Sequence, residues 1–336
     1  MTDQASPPND ETVAGTALDG LVDLASQRLG GRAVEANDEF FAPKENLLKA
    51  DDAVFDPDRY TERGKWMDGW ETRRRRSPGH DWCVVALGAP GRIRRVIVDT
   101  RHFRGNHPEA CSLDASVDAG GEWTEVLPRS PLEGNARNEF EIDDDTGFAR
   151  IRLNIYPDGG VARLRVFGEP RPDWAALVAS DERLDLAAAL NGGAPLACSD
   201  RFFSEPRNLL LPGPPTHMGD GWETRRRRGP GHDWVVIRLG HPGTIEVVEL
   251  DTTYFKGNHP AACALEGYRL PTSDARAGAA LGSVEWLELL GKSELGPDAA
   301  HRFELGGDID PVSHVRLNIF PDGGVARLRL WGRPTL

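Results

Sequence analysis

Alternating apolar and polar positions near the end of each half of the chain give its clearest structural signal. Ile151, Leu153 and Ile155 alternate with Arg152 and Asn154, and Val315, Leu317 and Ile319 alternate with Arg316 and Asn318. A period of two sends successive side chains to opposite faces, so each stretch predicts a strand with one apolar and one polar face. Pro157 to Gly160 then reads as a turn into Val161 to Phe167, which predicts a half-buried antiparallel hairpin, and Pro321 to Gly324 repeats that turn. Trp82 to Leu87 and Ile93 to Val98 flank Gly88, Ala89, Pro90 and Gly91 and read as strand, turn and strand, with Trp82 filling core. Helical pattern is confined to Asp19 to Leu29 and Trp174 to Leu190.

The strand pattern recurs because the sequence recurs. Asp68 to Trp82 (DGWETRRRRSPGHDW) returns as Asp220 to Trp234 with 14 of 15 positions identical, 152 residues later. Asp99 to Pro108 returns as Asp251 to Pro260 at the same spacing, and Arg152 to Arg165 returns as Arg316 to Arg329 after 164 residues. The second copy therefore carries 12 extra residues, which fit the Ala- and Gly-rich stretch Pro271 to Leu281. Asp38 and Asn46 match Asp200 and Asn208 at 162, which makes the first copy ten residues longer ahead of its motif. A period this long is a domain, not a solenoid unit. The chain thus reads as all-β, two tandem jelly-roll β-sandwich domains over 19–170 and 171–336, after a flexible segment 1–18. The boundary is expected at Glu169 to Asp173, where two prolines follow the last strand of the first copy.

Composition changes this picture little. A chain of 336 residues with 39% hydrophobic and 28% charged residues can fill two cores. Its net charge of −13 argues against nucleic acid, and the arginine runs are nearly neutralised by Asp68, Glu71 and Asp81 in the same motif. Met1 to Gly20 has neither a basic nor an apolar signal region, and no stretch approaches a spanning helix, so a cytoplasmic protein without membrane contact is expected. Cys83, Cys111, Cys198 and Cys263 show no metal-pair spacing and read as buried small residues.

Packing does not require that Asp, Glu, Arg and His all recur in register, so the repeated motif points to duplicated chemistry. If Trp70 to Arg76 is extended, Glu71, Arg73 and Arg75 share one face. A guanidinium that grips a carboxylate beside an available Glu suits a small anionic molecule. Glu71, His80 or Asp81 is the candidate proton-transfer group, with Asp99 at the end of the next strand. Arg73, Arg75, Asn106 and His107 are candidate substrate contacts, although Asn106 could instead hold its loop in a left-handed conformation. Glu223, His232, Asp233, Asp251, Arg225, Arg227, Asn258 and His259 take the same places in the second copy. The polar-face residues Arg152, Asn154, Arg163 and Arg165, with Arg316, Asn318, Arg327 and Arg329, read as interface or surface. No metal site is indicated: His102 is replaced by Tyr254 in the second copy and no paired His or Cys spacing appears, although carboxylates could hold a hard divalent cation.

Gly64 to Arg76 with Gly79 to Trp82 after it, then Asp99, Thr100, Phe103, Gly105, Asn106 and Pro108, resemble the allantoicase family from about Asp19 to Gly332. The resemblance implies two jelly-roll domains similar to galactose-binding modules, and hydrolysis of allantoate to ureidoglycolate and urea in purine and allantoin degradation, for nitrogen use. The sequence itself requires no cofactor, and a homo-oligomer is possible. Gly64 to Met67 lacks a full counterpart before Asp220, so the copies are expected to form either separate sites of unequal rate or one composite site. A non-catalytic small-molecule or carbohydrate-binding double jelly roll is the alternative, because a fold does not fix a function.

Overall fold

The computed structural model describes residues 16–180, 182–269, 284–307 and 309–335. Its described residues fall into two compact units, one spanning Leu21–Asp173 and the other joining 174–335 to the described residues before Leu21. Thr16–Ala17, expected within a flexible tail, form a strand against Ala197 and Cys198 of the second unit. The expected insertion at Pro271 to Leu281 lies outside the described residues.

The first unit is built on β1 (Arg32–Ala36), β2 (Asp81–Asp99), β3 (Ala110–Ser116), β4 (Thr124–Pro131), β5 (Arg137–Glu141), β6 (Gly147–Tyr156) and β7 (Arg163–Pro170). All pairings are antiparallel. The first half of β2 lies between β1 and β6, and β6 continues to β3 and β4. Its second half lies between β7 and β5, with Val22–Asp23 beyond β7. One 19-residue strand therefore serves both layers of the sandwich, a way of turning a corner between packed sheets.

This corrects two expectations. Gly88 to Gly91 is not a turn but the bend within β2, where the pairing with β6 jumps from Ala86 to Gly91. A Cβ on Gly88 would lie 2.5 Å from the carbonyl oxygen of Leu29, and one on Gly91 would lie 2.6 Å from that of Glu169. These glycines admit neighbouring backbone rather than reverse the chain. The strands flanking Pro157 to Gly160 likewise do not pair with each other; β6 pairs with Asp81 to Ala86 and β7 with Gly91 to Asp99.

The second unit repeats the plan with β8 (Ala194–Cys198), β9 (Asp233–Asp251), β10 (Ala262–Tyr268), β11 (Leu287–Glu294), β12 (Ala300–Glu304), β13 (Val312–Phe320) and β14 (Arg327–Pro334). Again the long strand β9 contacts β8 and β13 with one half and β14 and β12 with the other. Val85, Ile93, Val98, Leu113, Ile151 and Leu164 are fully buried between the first pair of layers, and Val235, Ile245, Leu250, Leu265, Val315 and Leu328 between the second. All four cysteines are buried and unbonded, and burial pushes their thiols up to about 12.

The helical expectation mostly fails. Asp19 to Leu29 forms the strand Val22–Asp23 and a single 3-10 turn, Gln27–Leu29. The Asp23 carboxylate accepts the backbone N–H groups of Ala25 and Val166 at 3.3 and 3.0 Å, so the segment's polar backbone is satisfied at the sheet edge. Among the described residues of the second unit only Trp174–Ala179 is α-helical. No helix among the described residues is long and apolar enough to cross a membrane. Trp82 is half-buried, while the fully buried indole of the first unit is Trp70.

Candidate active site

Glu71 is held by three parts of the repeat motif. It lies on the two-residue strand Trp70–Glu71, and the buried Trp70 donates its Nε1–H to the carbonyl of Asp38 at 2.8 Å. Trp70 and Glu71 pair with Val161 and Gly160, and the N–H of Gly160 donates to the carbonyl of Asn106 at 2.8 Å. The double glycine thus brings Glu71 and Asn106 together, and the Asn106 Nδ2–H donates to Glu71 Oε1 at 2.7 Å. Gly159 has φ +139°, and a Cβ on Gly160 would lie 2.0 Å from the ring of Phe103. Gly160→Ala should destabilise the unit by about 1 to 3 kcal/mol through overpacking. A lowered urea midpoint would show this; an unchanged midpoint would mean that the Phe103 ring yields.

Glu71 and Asn106 face a cavity of about 530 Å³ whose wall also includes Phe41, Phe55, Lys65, Met67, His102 and Arg104. Burial pushes the Glu71 carboxyl above the ordinary glutamate range, against the opposing pull of the Asn106 hydrogen bond. His102 adopts a left-handed backbone, φ 72°, and its N–H donates to Asn135 Oδ1 at 2.9 Å. Its Nε2 lies 3.0 Å from the carbonyl oxygen of Ala53. A carbonyl can only accept, so Nε2 carries the proton and Nδ1 of the neutral ring is an acceptor. Phe55 stacks on this ring at 5.8 Å between centroids. Lys65 donates to the carbonyl of Asp56 at 2.6 Å and lies 4.6 Å above the ring of Tyr60. Among the described residues neither Lys65 nor Arg104 forms an ion pair with a carboxylate. The cavity thus holds two unneutralised cations, one carboxyl of raised pKa, an amide and an imidazole acceptor.

Arg73 and Arg75 do not join Glu71 there. The strand ends at Glu71, so the alternation that would align the three is absent. Arg73 Nε donates to Asp38 Oδ2 at 2.7 Å, and Arg75 Nη2 donates to Asp81 Oδ1 at 2.8 Å and to the carbonyl of His80 at 2.9 Å. Asp81 is buried and also accepts the Asn37 amide at 3.0 Å, so its carboxylate is committed to structure. The His80 ring packs on Tyr156 at 4.8 Å. Asp99 is buried and accepts Arg101 Nε at 2.8 Å, and His107 Nδ1 lies 3.1 Å from the carbonyl of Arg104. Asn106 has an ordinary negative φ; the left-handed residue of its loop is His102. Of the first-copy candidates only Glu71 and Asn106 line the cavity, and Lys65, His102 and Arg104 are functional candidates that the repeat pattern did not single out.

In the second unit, Asn258 Nδ2–H donates to Glu223 Oε1 at 2.6 Å. Arg225 pairs with Asp200 at 2.8 Å and Arg227 with Asp233, and both arginines border a separate hollow of about 330 Å³ together with Arg226 and Arg228. His232 Nε2 lies 3.1 Å from Asn318 Oδ1, Asp251 accepts the N–H of Thr253 at 2.8 Å, and His259 Nδ1 is buried without a hydrogen-bond partner among the described residues.

The outer arginines correct the surface expectation. Arg163 is buried at 2% exposure, with Nη2 2.7 Å from Asp68 Oδ2 and Nη1 donating to the carbonyl of Asp68 at 2.9 Å. Asp68 also accepts Lys49 and the N–H of Val54, which fixes the segment that walls the cavity. Arg327 and Asp220 repeat the pair at 3.0 Å. Arg165 donates to the carbonyl of Ala50 at 3.0 Å, and Arg329 to that of Leu209 at 3.3 Å. Arg152 and Asn154 both donate to Asp114, and Arg316 and Asn318 both to Glu266, on their own sheets. Among the described residues no group of three or more His, Cys, Asp or Glu side chains is placed to hold a metal ion.

Two jelly-roll repeats, each presenting a Glu–Asn pair at the turn between its layers, define a class of duplicated β-sandwich. Residues 22–171 and 184–335 each match the allantoicase repeat. The chain belongs to the allantoicase family. A probable allantoicase of Pseudomonas paraeruginosa (strain DSM 24068 / PA7) is 51% identical over 323 residues, covering 94% of this chain and 96% of its own. Probable allantoicase 1 of Burkholderia mallei (strain ATCC 23344) is 48% identical, covering 93% and 94%. The crystal structure of allantoicase from Saccharomyces cerevisiae superposes with a TM-score of 0.79 at 38% identity, over 93% of each chain.

Proposed function

We infer that the protein is an allantoicase, a hydrolase of carbon–nitrogen bonds in linear amidines that converts allantoate and water to ureidoglycolate and urea in allantoin degradation. The observation that carries this reading to particular residues is the Glu71 carboxyl, raised in pKa and oriented by Asn106, in a cavity whose Lys65 and Arg104 have no carboxylate partner among the described residues. Allantoate has one carboxylate and two ureido groups on one sp³ carbon. Lys65 and Arg104 hold that carboxylate, in place of the internally paired Arg73 and Arg75.

Urea departs poorly as an anion, so its nitrogen must be protonated as the bond to carbon breaks. Glu71 supplies that proton, and the lone pair of the remaining ureido nitrogen stabilises the electron-poor carbon. Water then adds to this carbon and gives a proton to His102 Nδ1, from which it returns to Glu71. The arrangement parallels acid-assisted glycoside cleavage, where a neighbouring oxygen lone pair plays the same part. The scheme assigns no role to a divalent cation. We place the reaction in the cytoplasm, with the chain free to self-associate as a homo-oligomer.

Lys65→Ala tests the anchoring. Loss of one charged hydrogen-bond partner should lower kcat/KM for allantoate by roughly ten- to hundredfold, mostly through KM, which corresponds to about 1.5 to 3 kcal/mol. Steady-state urea release measures it, and a folded variant with wild-type KM would remove Lys65 from substrate binding.

A further inference from the structure

We infer that catalysis is confined to the first repeat, and that the Glu223–Asn258 pair of the second is a capped, non-catalytic remnant. This rests on the reading of the Glu71 cavity and adds to it an assignment of function between the copies. Three differences carry it. First, Asn258 Nδ2 lies 3.4 Å from Met218 Sδ as well as 2.6 Å from Glu223, so a thioether stands against the very donor that in the first repeat faces the cavity. Met67 lines the first cavity too, but among the described residues it makes no hydrogen bond with Asn106; a methionine side chain is apolar and gap-filling, and one set against the amide offers a carboxylate or ureido group nothing to bond.

Second, one cation is missing and the other is paired. Arg104 of the first repeat, which is exposed and has no ion pair among the described residues, is matched by the likewise exposed Lys256, which lies 3.8 Å from Asp298 Oδ2. Lys65 has no counterpart, because the stretch from Asn208 to Asp220 is ten residues shorter than that from Asn46 to Asp68 and contains neither Lys nor Arg. Third, His102 is matched by Tyr254, which keeps the left-handed backbone, φ 72°, but is exposed and is a phenol in place of an imidazole. The second repeat thus retains the backbone frame of the site, with Gly324 N–H still on the Asn258 carbonyl at 2.8 Å, while lacking a counterpart of Lys65 and of the His102 imidazole.

The test compares urea release from saturating allantoate by the wild-type chain, Glu71→Gln and Glu223→Gln, with circular dichroism to confirm folding. We expect Glu71→Gln to fall at least a hundredfold and Glu223→Gln to stay within twofold of wild type. A Glu71→Gln protein that keeps a substantial rate, which adding Glu223→Gln then removes, overturns the inference. So does a tenfold or greater loss from a folded Glu223→Gln alone, since both motifs would then be needed. Wild-type rates in both single variants and in the double variant would instead defeat the underlying reading of the glutamate site. Met218→Ala provides a second variant should Glu223→Gln fail to fold: its rate should match wild type, and an increase would reveal a latent second site and overturn the proposal. Calorimetric titration of Glu71→Gln with allantoate should give one molecule bound per chain; two per chain would also overturn it.

Discussion

Replacing Glu71 with Gln should lower turnover of allantoate by ~10²- to 10⁴-fold, the range over which a positioned proton donor acts. Gln keeps the shape and can still meet Asn106 Nδ2, so the 2.7 Å hydrogen bond that orients the side chain has a surviving acceptor. What it lacks is the proton. Because burial raises the Glu71 carboxyl above its ordinary range, the donor form persists to higher pH than an exposed glutamate would allow. As a general acid, Glu71 should make kcat/KM fall as pH rises through that raised pKa, and the residual rate of Glu71→Gln should lack this limb. The stability consequence has the same origin. A folded-state pKa raised above the unfolded value means the native state binds more protons in that window, so stability declines as pH rises through it. Glu71→Gln should remove that decline, giving a protein at least as stable as wild type at neutral pH. A folded variant with an unchanged rate and pH profile would take Glu71 out of the mechanism.

The largest effect on stability is expected at the buried pair beneath the cavity wall. Asp68 is 6% and Arg163 is 2% exposed, and Asp68 also receives Lys49 and the Val54 backbone. Removing one partner leaves an uncompensated buried charge, which costs about 3 to 5 kcal/mol. Asp68→Ala and Arg163→Ala should each lose that much in denaturant unfolding, whereas the double variant should lose less than their sum. Burial alone would raise the Asp68 pKa, but the hydrogen bonds from Arg163 and Lys49 outweigh it and hold the carboxyl below its ordinary range. This contribution is therefore complete above the unfolded value of about 3.9 and is lost as pH falls through the lower folded value. Additive single and double variants would show that the two side chains are not coupled.

These two residues also show how far the sequence could be read. Strands, their apolar faces and the tandem repeat were all visible in local alternation and in matched blocks. Pairing was not, because Gly88 and Gly91 look alike whether they reverse the chain or admit the carbonyls of Leu29 and Glu169. Arg163 sits on what alternation marks as a polar face, and only the meeting with Asp68, 95 residues away, turns that face inward. For the site, recurrence was a useful guide to Glu71 and Asn106, which both copies need for the same backbone frame. It was a poor guide to Lys65, His102 and Arg104, which differ between the copies. The signal for Lys65 was the ten-residue excess ahead of the first motif, since that segment carries Phe55 and Lys65 into the cavity wall; His102 and Arg104 lie in a repeated block and show only as the changes to Tyr254 and Lys256.

Cleavage of the bond between the sp³ carbon of allantoate and one ureido nitrogen, within the cavity of the first repeat, is the reaction proposed for this chain. Incubating the purified protein with allantoate and quantifying products tests it most directly. One urea and one ureidoglycolate per allantoate consumed, with turnover abolished in Glu71→Gln, is the predicted result. No urea from a folded wild-type chain would contradict it, as would ammonia in place of urea, because ammonia would mean that the bond broken lies inside the ureido group.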